Sequence, residues 1–449
     1  MAQRVLIIGA GLAGLAAASA LAPRAFQVRL LESRGRTGGR AGSFTDARTG
    51  QLIDACQHVS MGCCTNLAHF CRTVGIAHYL APQRLLYFMT PDGRVSRFGS
   101  DPLPAPFHLA RSFLTAHYLS LADKIAIARG LAALQTTSPD EDGSFADWLA
   151  AHGQTSRAID YFWNVVLVSA LNEDTERLGT RYARKVFVDG FLRHPRGFQV
   201  EVPTVPLGQL YGEELQHWLQ GKGATLTLQQ GVRRIEVIDN RVVSVELRSG
   251  ERLEADWYIS AVPFDRLLDL LPAEVVDRHP SFAGLRQLDT SPITSVHLWY
   301  NRPITRLPHV VLLGTVGQWL FNRGEVETGE HYLQVVVSAS RLFRGLGHDE
   351  VQQRIVAEIG SMFPRAQAAS LLRTRVVTEH RATFSAMPGV DRYRPAQGSP
   401  VRNLLLAGDW TATGWPATME GAVRSGYLAA AALLARLGQR SRLLQPDLG

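Results

Sequence analysis

Cysteine is scarce in this chain: four residues in 449, all between Cys56 and Cys71. That count is too small for a disulfide scaffold. His58 and His69 lie in the same stretch, but no Cys-x-x-Cys pair occurs and Cys63 and Cys64 are adjacent, so the spacing argues against a metal site and none is expected. Cys71 falls at helical spacing with Leu67, Phe70 and Val74, as a core residue would. Long apolar runs are also missing. Nothing reaches the roughly eighteen uninterrupted apolar residues of a membrane span. No basic run interleaved with aromatics appears, which excludes a nucleic-acid partner. The first strand begins within four residues of Met1, leaving no room for a leader, so a cytoplasmic protein is expected.

What is present is an ordinary globular composition, 46% hydrophobic and 19% charged, with a net charge of +7. The length implies two domains. The positive balance suits a basic soluble protein and equally one attracted to an anionic membrane face.

Residues 4–9 read as an apolar strand, 12–22 as an Ala/Leu-rich helix stopped by Pro23, and 26–32 as a second strand. This βαβ unit predicts a parallel sheet. Strands are expected again at Thr225–Leu228, Val232–Val237, Arg241–Leu247 and Asp256–Ser260, with Asp239-Asn240 as a hairpin turn. Thr294–Tyr300, Val310–Leu320, Tyr332–Ser338 and Thr374–His380 suggest an antiparallel sheet, with a helix at Asp349–Phe363. The expected fold is α/β. A discontinuous Rossmann-like domain would comprise residues 1–80, 205–265 and 395–449, and an α+β substrate domain 81–204 and 266–394.

Gly9-x-Gly11-x-x-Gly14 falls between strand and helix. The first glycine permits a tight turn, the second a close approach to pyrophosphate, and the third helix-on-strand packing. Glu32 closes the second strand at the offset of a carboxylate that binds ribose hydroxyls. These features suit NAD and FAD alike.

In the following run, Gly38 and Gly39 let the chain bend close to a cofactor, Arg40 offers a cation to pyrophosphate, and Arg34 lies nearer the ribose. Here the chain resembles the flavin-dependent amine oxidase and carotenoid desaturase superfamily, which implies FAD. No second Gly-x-Gly-x-x-Gly follows a strand, so no NADPH site is visible and the electron donor is unidentified. Val232 corresponds to the superfamily's adenine-holding valine, and as a core valine it would look the same.

Near the end, Gly408-Asp409 follows a buried strand, where the Asp can accept from a ribityl chain. Thr418–Ala430 reads as a helix, with Pro416 just before its first turn, and its N-terminus, with Met419 in the first turn, would face the flavin pyrimidine edge. The run Thr411–Gly426 resembles the C-terminal signature of plant-type carotenoid desaturases and their squalene-associated relatives. Ile53–Val59, Met61–Thr65, Ser169–Asn172 and Val202–Leu207 resemble the hydroxysqualene dehydroxylases. Cys56 stands where those relatives have glycine, and Glu173-Asp174-Thr175 replaces their Asn-Thr-Pro.

The resemblance implies reductive dehydroxylation of hydroxysqualene to squalene, with His58, Asp174 or Asp54 as proton donor. The alternatives are carotenoid or polyprenyl desaturation and, from a different class, a non-catalytic prenyl carrier. Residues 107–134 are expected to be one helical run, either buried in the core or lying at a membrane interface where a lipophilic isoprenoid enters.

Overall fold

The computed structural model describes residues 2–47 and 49–448. Five short parallel strands form its central sheet, in the spatial order Thr225–Thr227, Phe26–Leu31, Gln3–Ile8, Trp257–Ser260, Leu404–Leu406. The register runs Val5 beside Trp257 and Tyr258 beside Leu404, so segments from both ends of the chain share one neighbour. Val5–Ile8 and Leu404–Leu406 are buried on both faces, which explains their uninterrupted Val/Ile/Leu character, whereas the edge strand Thr225–Thr227 is exposed or half-buried.

A second sheet has seven strands, and its centre is the antiparallel set Leu371–Phe384, Thr290–Tyr300, His331–Ser338 and Trp319–Glu325. The region expected to be a single strand at Val310–Leu320 is two, His309–Leu312 and Trp319–Glu325. Gly314 takes φ +69° in the turn between them, a conformation that ends a strand. The Asp239-Asn240 hairpin appears as expected, with both residues at positive φ.

The segment 107–134 is likewise divided. A 3₁₀ turn at Phe107–Leu109 leads into the helix Ala110–Thr115, and a separate helix spans Leu121–Thr136. Ser120 starts the second with a capping box: its hydroxyl accepts from the Asp123 amide while the Asp123 carboxylate accepts from the Ser120 amide. Among the described residues no helix is long and apolar enough to cross a membrane.

The first helix, Leu12–Leu21, packs directly on the last, Met419–Arg436. At their crossing a Cβ on Gly426 would stand 2.2 Å from the Ala13 carbonyl oxygen and 2.9 Å from the Ala16 Cβ. Gly426→Ala should therefore force the helices apart and cost about 1–3 kcal/mol of stability. Urea unfolding measures this, and an unchanged midpoint would mean the helices separate freely.

Candidate functional site

The carboxyl ends of three central strands open on one crevice. Gly9 leaves the first at φ +103°, where a Cβ would meet the Ala261 carbonyl at 2.9 Å. Gly11 is the N-cap of the first helix and has no side-chain cap, so the first-turn amides lack a side-chain acceptor. A Cβ on Gly11 would find only the Gly39 Cα, at 3.9 Å, and Gly11, Leu12 and Ala13 line the crevice. Open space in front of unpaired helix N–H groups is what a diphosphate needs.

Glu32, buried at the end of the second strand, accepts from the Ala10 amide (2.9 Å) and the Arg34 amide (2.8 Å). These bonds fix the carboxylate and leave lone pairs for ribose hydroxyls. Arg34, Gly38, Gly39 and Val232 share the same lining. Arg40 does not stand as a free cation. Its guanidinium pairs with Asp409 at 2.6 Å and donates to the Ala382 carbonyl, also at 2.6 Å. Burial works to lower its pKa, but the Asp409 carboxylate outweighs that and raises it. The pair joins the two ends of the chain across the crevice.

Gly408 precedes Asp409 at φ +146°, and a Cβ there would lie 2.2 Å from the Trp410 indole nitrogen. That nitrogen donates to the Val262 carbonyl, which fixes the turn. Met419 opens the last helix and lines the crevice, and the Thr418 hydroxyl caps it by accepting from the Gly421 amide.

The crevice continues without interruption into an apolar arm. Together they form a cavity of about 1090 Å³, more than the roughly 300–1,000 Å³ of a single ligand pocket. Two π-helical stretches, Ile159–Trp163 and Lys185–Leu192, place Phe162 and Phe187 on the wall. These rings stack at 5.4 Å, and Phe113 meets Phe162 edge-on at 5.9 Å. Between Leu86 and Val200 no charged side chain lines the cavity among the described residues.

Of the three acid candidates, only His58 lies in this cavity. Its Nδ1 is 3.0 Å from the Cys56 carbonyl oxygen and must donate to it, so Nε2 carries the lone pair. Burial lowers its pKa, and the ring is neutral at pH 7. Neighbouring Gln57 accepts from Arg323 at 2.9 Å and donates to the His58 carbonyl. Cys56, another wall residue, has ordinary backbone geometry rather than the left-handed φ that would require glycine.

Asp54 and Asp174 need correction. Asp54 is buried outside the cavity lining, accepting from the Ser43 hydroxyl and the Leu207 amide, and burial raises its pKa. It ties the strand Ser43–Thr45 to the helix Leu207–Leu210. Asp174 is 42% exposed, stands 3.4 Å from Arg341 and is absent from the lining. Its neighbour Glu173 is the buried member, bound at both carboxylate oxygens by Arg341 (2.6 and 2.9 Å). Glu379 is a cavity carboxylate for which the sequence carried no signal. Among the described residues no group of three or more His, Cys, Asp or Glu could hold a metal ion.

Comparison with known proteins matches residues 12–434 to the family described as flavin containing amine oxidoreductase. The chain is 28% identical to a probable zeta-carotene desaturase of Synechococcus elongatus, over 96% of this chain and 98% of that protein. It is 27% identical to the 15-cis-phytoene desaturase of the same organism, over 98% of each. Among solved structures it is similar to a redesigned putrescine oxidase (TM-score 0.75, 19% identity, 97% of this chain and 99% of that one). It is also similar to an oxidoreductase from Methanosarcina mazei (TM-score 0.72, 16% identity, 96% and 100%). At those identities the structures speak for the fold.

The cradle predicts separable effects. Gly11→Val projects a side chain into open space, so the protein should fold yet lose flavin absorbance. Glu32→Ala should weaken FAD binding by about tenfold or more, since hydrogen bonds to a charged group contribute about 1.5–3 kcal/mol. Calorimetric titration with FAD checks both. A folded wild-type chain that binds no FAD would overturn the cofactor assignment and revive the carrier reading.

Proposed function

The chain belongs to the flavin containing amine oxidoreductase family, and from that premise we propose that it is an FAD-dependent oxidoreductase of acyclic isoprenoid chains of squalene-to-carotene size. The observation that carries this reading is the wall between Leu86 and Val200, aromatic and aliphatic apart from Ser169 and Asn172, and free of charge. A cationic amine would be desolvated there without a partner, at a cost of several kcal/mol. A hydrocarbon chain loses nothing and gains about 25 cal/mol for each Å² it buries. FAD, when bound, supplies the redox step: oxidised it takes a hydride from a C–H bond, and reduced it gives one to carbon.

Two directions are open to such a site, and a specific observation favours each. Desaturation is supported by the similarity to zeta-carotene and phytoene desaturases. The neutral His58 suits it, because an Nε2 lone pair can accept the proton released as the double bond forms. Dehydroxylation of hydroxysqualene is supported by the wall segments that resemble the dehydroxylases: Gln57, His58, Ser169, Ala170 and Asn172 all line the cavity. The Ser169 hydroxyl donates to the Val165 carbonyl at 2.7 Å and accepts from the Trp319 indole at 2.9 Å, leaving one lone pair for a substrate hydroxyl. In that direction protonated His58 would donate to the hydroxyl as water leaves. The similarity over the whole chain weighs toward desaturation.

The flavin colour tests both directions under anaerobic conditions. Desaturation predicts that phytoene or zeta-carotene bleaches the oxidised enzyme. Dehydroxylation predicts that hydroxysqualene restores the yellow of chemically reduced enzyme and yields squalene. Bleaching by small primary amines, with no response to either lipid, would overturn the isoprenoid reading.

His58 adds a pH signature. Its pKa lies below the ordinary 6.5 because burial penalises the imidazolium, against the opposing pull of the Cys56 carbonyl and Asp54. Desaturation should rise with pH through that lowered pKa and level off by neutrality, whereas dehydroxylation should fall across the same window. His58→Ala should cut turnover by about 10²–10⁴ and abolish the slope while FAD binding survives. Unchanged turnover would leave His58 a packing residue.

A further inference from the structure

Polar side chains are few on the wall of the apolar arm, and the hydrogen bonds of one of them fix a direction. Asn172 ends the helix Asn164–Leu171 in the left-handed conformation and lines the cavity. Its Oδ1 accepts from the Ala339 amide at 2.7 Å, and its Nδ2 donates to the Ser291 carbonyl at 3.1 Å. One partner is a backbone donor and the other a backbone acceptor, so the side-chain amide has a single possible orientation. The second Nδ2 proton goes to the Thr383 hydroxyl, at 2.8 Å. The Thr383 oxygen is therefore the acceptor in this bond, and its own proton is left to donate.

Among the described residues nothing accepts that proton. Thr383 lies opposite Ser291 in the second sheet, and Ile293, two residues along on the same face, lines the cavity as Thr383 does. The Ser291 hydroxyl is buried and takes no hydrogen bond. Thr383 thus presents a hydroxyl proton to the cavity. Its place in the cavity is equally specific. The preceding residue, Ala382, gives its carbonyl to Arg40 at 2.6 Å, and Arg40 pairs with Asp409 in the crevice. Asn172, on the other side, belongs to the arm together with Ser169 and Ala170. Thr383 stands where the crevice passes into the arm.

We propose that Thr383 is the specificity-determining residue at this junction: its hydroxyl donates a hydrogen bond to an oxygen atom carried by the isoprenoid chain. A hydrocarbon here would leave the proton desolvated and without an acceptor, whereas an oxygen on the chain takes it. Ser169 supplies the complementary half, since its free lone pair accepts from a hydroxyl that Thr383 has already bound. Asn172 acts through Thr383, as a positioning residue that fixes which way the hydroxyl donates. This role rests on the isoprenoid reading above, and within it favours the direction that starts from an alcohol.

The test uses the full FAD-loaded chain, kept oxidised, and reads the shift of the flavin spectrum as three chains are titrated in one detergent. They are squalene, hydroxysqualene, and the ketone with a carbonyl in place of that hydroxyl. The ketone accepts hydrogen bonds and donates none, so it reports Thr383 and not Ser169, whose own proton is held by the Val165 carbonyl. The wild type should bind the ketone roughly three- to tenfold more tightly than squalene, about the net worth of one hydrogen bond. Thr383→Val, which keeps the shape, should bind the two equally, and Thr383→Ser should keep the preference. Wild-type protein that does not prefer the ketone overturns the role, even if Thr383→Val fails to fold. So does a folded Thr383→Val chain that still prefers it. In either case binding of squalene leaves the isoprenoid reading standing. A flavin that responds to none of the three chains overturns that reading, and the role of Thr383 with it.

Discussion

Parallel pairing of Trp257–Ser260 with Gln3–Ile8 on one side and Leu404–Leu406 on the other is the constraint on which the site depends. The strands are parallel, so their carboxyl ends lie together, and three turns follow there: Gly9 to Gly11, Ala261 to Pro263, and Gly408 to Trp410. A crevice beyond the carboxyl ends of such strands is where this class of sheet binds ligands. The pairing is reinforced from behind. The Asn403 side chain accepts from the Val242 amide and donates to the Val242 carbonyl, and the Tyr258 amide donates to the Asn403 backbone carbonyl. Loss of the central strand would leave a phosphate-binding turn with no opposite wall.

The ion pair between Arg40 and Asp409 depends on that pairing, since 369 residues separate the partners. Each cancels most of the other's charge, so the crevice offers a fixed dipole in place of a free cation. Anion affinity then falls to the uncapped amides after Gly11, which are neutral donors, and to Arg34 and Arg36, which line the same crevice. Charged groups are missing from the wall between Leu86 and Val200, while Glu32, Arg34, Arg36, Arg40 and Asp409 line the crevice. On the proposed function, this segregation lets one cavity hold a polar dinucleotide and an apolar chain together, because neither ligand must desolvate groups meant for the other.

The cofactor half was legible in the sequence because its signals are local. Gly9, Gly11, Gly14, Glu32 and Met419 each sit at a fixed offset from a strand or helix end, and those offsets survive any arrangement of the rest. The errors came where a local breaker inside a periodic run was passed over, or where distant contacts decide. Residues 107–134 carry helical spacing throughout, yet the Ser120 capping box starts a new helix, and Ser-x-x-Asp was readable only as a local cap. Gly314 was the breaker inside the supposed strand Val310–Leu320. Asp174 looked like an acid beside the site because Asn172 is there. Asn172 itself takes φ +53°, and the chain turns sharply away, burying Glu173 against Arg341, a residue 168 positions further on. No spacing rule reaches across that distance.

The substitution at Cys56 illustrates how little a wall residue must do. Glycine at that point would matter if the backbone needed a left-handed φ, and it does not. The thiol instead faces a lipophilic cavity where burial lifts its pKa to about 12, so at neutral pH it is an uncharged and weakly nucleophilic part of the wall. Its Sγ lies 3.6 Å from the Gln57 carbonyl, while the backbone carbonyl of Cys56 fixes the tautomer of His58. The side chain is therefore free to vary in size, and the carbonyl is not free to move. A β-carbon at this point narrows the cavity without disturbing the hydrogen bond that orients His58.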